Sequence, residues 1–149
     1  MTGRKWPAYV MAVLSLGYAL GKATYAVQGK LGFPTGPEVP AEEYLSYQRD
    51  LMNVSVAQWL GCATGLLGAA IAWATVTPAG RRVPRPLMLL ALVGMLVGVG
   101  AGAGVLVIDG FVGLGVGWQW FHGIAGVVVL AVMGLMTRSW FTRHNEAHE

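Results

Sequence analysis

The chain has 149 residues, 55% of them hydrophobic and only 11% charged, with a net charge of +3. Soluble domains carry about 25% charged residues, so the deficit points to lipid as the solvent. The basic residues form short clusters beside apolar runs and no stripe, which excludes a nucleic-acid surface, and a single cysteine, Cys62, excludes dithiol chemistry within one chain.

The first residues carry Arg4 and Lys5, and residues 7–27 are then apolar apart from Ser15, Lys22 and Thr24. That run is long enough to cross a bilayer, which takes about 20 apolar residues. A basic start and Thr24-Tyr25-Ala26 also fit a weak secretory signal; the aromatic ends, Trp6 and Tyr25, favour a span. Residues 28–50 are the one sizeable polar connection. Gly29 to Pro40 is rich in Gly and Pro and predicts an irregular path. From Pro40 the pattern changes. Glu42 and Glu43 suit the positive end of a helix dipole, and Tyr44, Tyr47 and Leu51 recur at helical spacing. A helix is expected over Ala41 to Arg49, with no breaker to keep it from continuing into the second span.

Residues 51–76 hold no charge, and residues 77–86 set Arg81, Arg82 and Arg85 among three prolines and a glycine, a tight basic turn. The third span is read as 87–108 and the fourth as 112–137. Asp109-Gly110 between them is a turn dipeptide, predicting a helical hairpin with a carboxylate at its tip. Arg138, Trp140, Phe141 and Arg143 then anchor the chain at the interface. His144 and His148 fall in a tail read as frayed, a poor metal site. No cofactor is expected.

These elements predict an all-α, polytopic membrane protein of one domain: an antiparallel four-transmembrane-helix bundle with an extracytoplasmic helix in the first loop. Basic flanks alternate with less basic ones, so both termini are expected on the cytoplasmic side of the cell membrane. Close backbone approach drives helix association in lipid. Glycines recur at a spacing of four, as Gly17 and Gly21, Gly61 and Gly65, Gly94, Gly98 and Gly102, and Gly113 and Gly117, with Gly100 and Gly104 added on the third span. These faces are expected to close the bundle or, on the third span, to dock a second copy or another membrane protein.

At about 1.5 Å per residue, Lys22, Gln58, His122 and Asp109 all fall in the outer third of the bilayer. A charge in the membrane costs about 2.5–3.5 kcal/mol on the insertion scale, so it is usually paired or functional, and Lys22 and Asp109 are the natural pair. Tyr18, Lys22 and Tyr25 share one helix face. Gln58 lies beside Trp59, and Trp118, Gln119 and His122 cluster at the fourth span. Together these nine residues are the candidate set for a lipid-like ligand.

Three functions compete. The first is a non-catalytic subunit, accessory or partner-binding protein, favoured by the glycine content and the sparse polar inventory. The second is an enzyme on a lipid or prenyl-type substrate, with His122 or Asp109 as acid or base and Lys22 stabilising negative charge. In it, Tyr18, Tyr25, Trp59, Trp118 and Trp120 would line an apolar or cationic group. The third is a small dimeric proton-linked transporter using Lys22, Asp109 and His122, against which the inner half offers only Ser15, Thr64 and Thr75 as a polar path. The first span lacks the glutamate of small multidrug exporters, and the Gly-x-Ser of intramembrane serine proteases does not occur.

Overall fold

The computed structural model describes residues 4–146, which contain helices and no strand. Its elements are α1 (Trp6–Gln28), α2 (Ala41–Asp50), α3 (Val54–Ala74), α4 (Arg85–Val112) and α5 (Trp120–Glu146), with a 3-10 turn at Gly80–Arg82. Helices α1, α3, α4 and α5 are long and apolar enough to cross a membrane. Their length and composition are those of a small multi-pass membrane protein. The chain divides into two compact units, residues 15–67 and residues 1–14 with 68–149.

In the unit of residues 15–67, α1 and α3 run antiparallel. Ser55 Oγ donates to the Ala26 carbonyl at 2.6 Å. One turn along, the stem of Lys22 crosses Gly61, and further on Gly65 faces Ala19, where an added Cβ would stand 2.9 Å from the alanine methyl. The residues of α3 buried within this unit, Val54, Gln58, Cys62 and Gly65, recur every three or four positions and so share one face. Helix α1 stops because Gly29 takes a left-handed φ of 63°. Its N–H then bonds the Ala26 carbonyl and that of Lys30 the Tyr25 carbonyl, closing a Schellman motif. Helix α2 follows Pro40, an extended residue, and buries none of its side chains. It does not continue into the next helix. Leu51 leaves helical backbone, and the Asn53 carboxamide oxygen accepts the N–H groups of Ser55 (2.9 Å) and Val56 (3.4 Å). That N-cap starts α3 at Val54.

The other unit has a methionine-rich core. Met11, Met88, Met95, Met133 and Met136 pack with Ala8, Ala12, Ala72, Leu92, Val132 and Trp140. Unbranched, polarisable methionine fills the irregular gaps that small residues leave between helices. Helices α4 and α5 lie antiparallel, with Gly110 against Gly123, Ala103 against Gly126 and Gly100 against Met133. By contrast, a Cβ added at Gly94, Gly98, Gly102 or Gly104 would meet no atom within 4 Å.

The α4–α5 turn differs from the sequence expectation. Helix α4 runs through Asp109-Gly110 to Val112, and α5 starts at Trp120 and reaches Glu146. The turn is therefore residues 113–119, and Trp118 and Gln119 precede the last helix instead of lying within it. Gly113 and Gly117 do not form a helix face. With Gly115 they take φ of 77°, 99° and 86°, a region that L side chains avoid. At the far end nothing breaks α5 after Thr137. His144 lies on its last turns, stacked on Trp140 at 5.2 Å; His148 falls outside the described residues.

Candidate functional site

Asp109 sits in the last turn of α4 and is 3% exposed. Its Oδ1 accepts the N–H groups of Leu114 (2.6 Å) and Val116 (3.2 Å), and its Oδ2 that of Trp118 (2.7 Å). Its carbonyl accepts the Gly113 N–H at 2.9 Å. The alternation is the cause. Positive φ at Gly113, Gly115 and Gly117 turns the amide after each glycine to one side, and these three converge on one carboxylate. Such a concave run of N–H groups is a nest that favours an anion; here the anion is the chain's own side chain.

His122 completes the same turn. It is the third residue of α5, and its Nδ1 accepts the Gln119 N–H at 3.2 Å. In return the N–H groups of His122 and Gly123 bond the Gln119 carbonyl, at 2.9 and 3.4 Å. This is one half of a capping box, with imidazole in the place of the usual Glu or Gln and the Gln119 carbonyl, not its side chain, accepting the return bonds. An accepting Nδ1 leaves the proton of the neutral ring on Nε2. The ring is 8% exposed, with Trp118 edge-on at 4.9 Å and Phe121 at 4.2 Å. Nε2 is buried without a protein partner. Asp109, Trp118, Gln119 and His122 are thus brought together around one turn.

The remaining candidates belong to the other unit. Gln58, 2% exposed, donates from Nε2 to the carbonyls of Lys30 (2.9 Å) and Gly32 (3.1 Å). Lys22 Nζ donates to the same Gly32 carbonyl at 3.1 Å and stands 5.7 Å from the Tyr18 ring centre, and Tyr18 stacks on Phe33. Lys22, Gln58 and Tyr18 therefore fasten the loop that follows α1. Tyr25 lies under Lys30 Nζ and, with Tyr44 and Glu38, lines a cavity of about 220 Å³. Trp59, next to Gln58 on α3, is half exposed.

The sequence reading paired Lys22 with Asp109. Within its own unit Lys22 has a carbonyl and a ring as partners, and within the other Asp109 has three amides. The residues that sequence reasoning missed are backbone groups: the carbonyls of Lys30 and Gly32, and the amides of Leu114, Val116 and Trp118. Their one visible signal was the alternation of glycine at 113, 115 and 117 just after an aspartate. Among the described residues, no three of His, Cys, Asp and Glu gather to hold a metal. Chemically, the arrangement holds loops: its one carboxylate is occupied, and its imidazole offers an N–H donor and no free basic nitrogen. Compared with family models, curated proteins and solved structures, the chain finds no match.

Proposed function

We propose that the chain is a small four-helix integral membrane protein that acts as a non-catalytic subunit or accessory protein and binds another membrane protein. The observation that carries this reading is where the intramembrane polar groups are spent. A general acid or base needs a site within reach of substrate, whereas Asp109, Lys22 and Gln58 bond the chain's own backbone. A second reading, an enzyme on a lipid or prenyl-type substrate, draws on the buried, unpartnered Nε2–H of His122. The transporter reading gains no such observation.

In this proposal the four spans form an antiparallel bundle with α2 outside and both termini cytoplasmic, because Arg4 and Lys5, the three arginines of the 77–86 turn, and Arg138 and Arg143 flank alternate span ends. In a Cys62→Ala background, Ser46→Cys is expected to react with an impermeant maleimide on intact cells, and Ala79→Cys only after permeabilisation. The reverse pattern would overturn the orientation.

The partner is a transmembrane helix of another protein, seated on α4. Helix α4 is the least covered of the four spans, with 17% of its most apolar stretch buried against 28–33% in the others. Its open Gly94, Gly98 and Gly102 allow the close backbone approach that helix association in lipid requires. Gly98→Leu is expected to leave thermal stability within about 0.5 kcal/mol of wild type, as for substitutions that touch nothing. It should also abolish a disulfide or bismaleimide adduct formed from Ala101→Cys in native membranes. An adduct at the mass of two chains would replace the partner with a second copy, and no adduct at all would remove this face from the proposal.

A further inference from the structure

At the basic end of the methionine-rich unit, where the end of α3, the start of α4 and the end of α5 are found, lies a cavity of about 260 Å³. Arg81, Val83, Arg85, Met88, Trp140 and His144 line it, and among the described residues no acidic one does. Among the described residues neither the Arg81 nor the Arg85 guanidinium has a hydrogen-bond or ion-pair partner, and both residues are exposed. Two further features add positive potential. Helix α4, 28 residues long, begins here with Pro84 as its N-cap and no side-chain cap, so the positive end of its dipole is unanswered. Arg143 donates to the Thr75 carbonyl at 3.1 Å, covering the C-terminal end of α3 with a guanidinium. The floor, by contrast, is apolar: Met88 is buried and Val83 half-buried.

We propose that this cavity binds the phosphate of an anionic phospholipid, with Arg81 and Arg85 on the phosphate oxygens and the glycerol and first methylenes on Val83 and Met88. Guanidinium matches phosphate oxygens two at a time, which a lysine cannot do. Basic pockets at the ends of membrane helices recognise phospholipid headgroups in this way, and anionic lipids are concentrated in the cytoplasmic leaflet, the side assigned to this turn. The inference does not depend on the partner-binding role of α4.

The test is native mass spectrometry of the detergent-solubilised protein with equimolar phosphatidylglycerol and phosphatidylcholine. Phosphatidylglycerol adducts are expected to dominate. Each arginine near a charged headgroup contributes roughly fivefold in affinity, so Arg81→Gln with Arg85→Gln should lose about 25-fold in affinity, read as lost adducts. The matched control, Arg82→Gln with Arg138→Gln, removes the same charge outside the cavity lining and should lose distinctly less than the test pair, because no phosphate sits between those two arginines. Should the arginine variant fail to fold by circular dichroism, Val83→Glu places a carboxylate in the floor and should abolish the same adducts. Equal losses in test and control would mean that net charge sets the preference, overturning the site. So would equal adducts with both lipids. Displacement of phosphatidylglycerol by inorganic phosphate at equal concentration would overturn the lipid in favour of a free anion.

Discussion

Replacing Asp109 by alanine is expected to destabilise the protein in mixed micelles by about 3–5 kcal/mol, from the loss of an acceptor by three backbone donors at about 1–3 kcal/mol each. The lower half of that sum applies because residues 113–117 are exposed and water reaches part of the freed turn. Asp109→Asn keeps one oxygen for Leu114 and Val116 but sets an NH₂ against the Trp118 N–H, so roughly half the alanine loss is expected. Gly115→Ala, at φ 86°, should cost about 1–2 kcal/mol through left-handed strain alone. Reversible unfolding followed by helical circular dichroism measures all three. An alanine variant within 0.5 kcal/mol of wild type would show that the carboxylate does not hold the turn. The result also separates the two functional readings. A catalytic Asp109 predicts an Asn variant that is stable and inactive, whereas a structural one predicts a variant that unfolds early.

The four spans and α2 were legible because length, apolar composition, Pro40 and the acids after it are local signals. Asn53 was not read as a cap, because the run around it carries no charge and no breaker, and so nothing in the sequence separated α2 from α3. The α4–α5 turn was misplaced for a different reason. Asp-Gly reads as a turn at its own position, yet Asp109 serves the turn from inside the helix, through a side chain aimed at amides five to nine residues on. Glycines at 113 and 117 were counted at spacing four, as a helix face; spacing two, through Gly115, was the informative period. A sequence displays charges and hides peptide dipoles, so the Gly32 carbonyl that Lys22 bonds was not legible. His122 could be read as a cap only once the start of α5 was known.

Gly126→Leu is expected to prevent α4 and α5 from closing, with a loss above about 3 kcal/mol, the upper end of the cost of overpacking. A Cβ at Gly126 would stand 2.7 Å from the Ala103 carbonyl oxygen and 2.8 Å from a Val107 methyl. One of these is backbone, which cannot step aside without moving the helix. Even Gly126→Ala should cost about 1–3 kcal/mol. Gly110→Ala should do the same, since its Cβ would stand 2.8 Å from the Gly123 amide nitrogen. The open positions behave oppositely: a Cβ at Gly98 or Gly134 would meet no atom within 4 Å, and leucine there is expected to be nearly neutral for folding. The sequence pattern ranks these sites the other way round, because Gly94, Gly98 and Gly102 form its longest regular stripe while Gly123 and Gly126 are three apart. Unfolding of Gly98→Leu and Gly126→Leu side by side therefore tests the helix pairing directly. Equal losses would place both glycines in packed interfaces and refute the register of α4 on α5. A loss confined to Gly126 leaves the Gly94–Gly102 face free for a partner, since a glycine row that folding does not use is the one that association can.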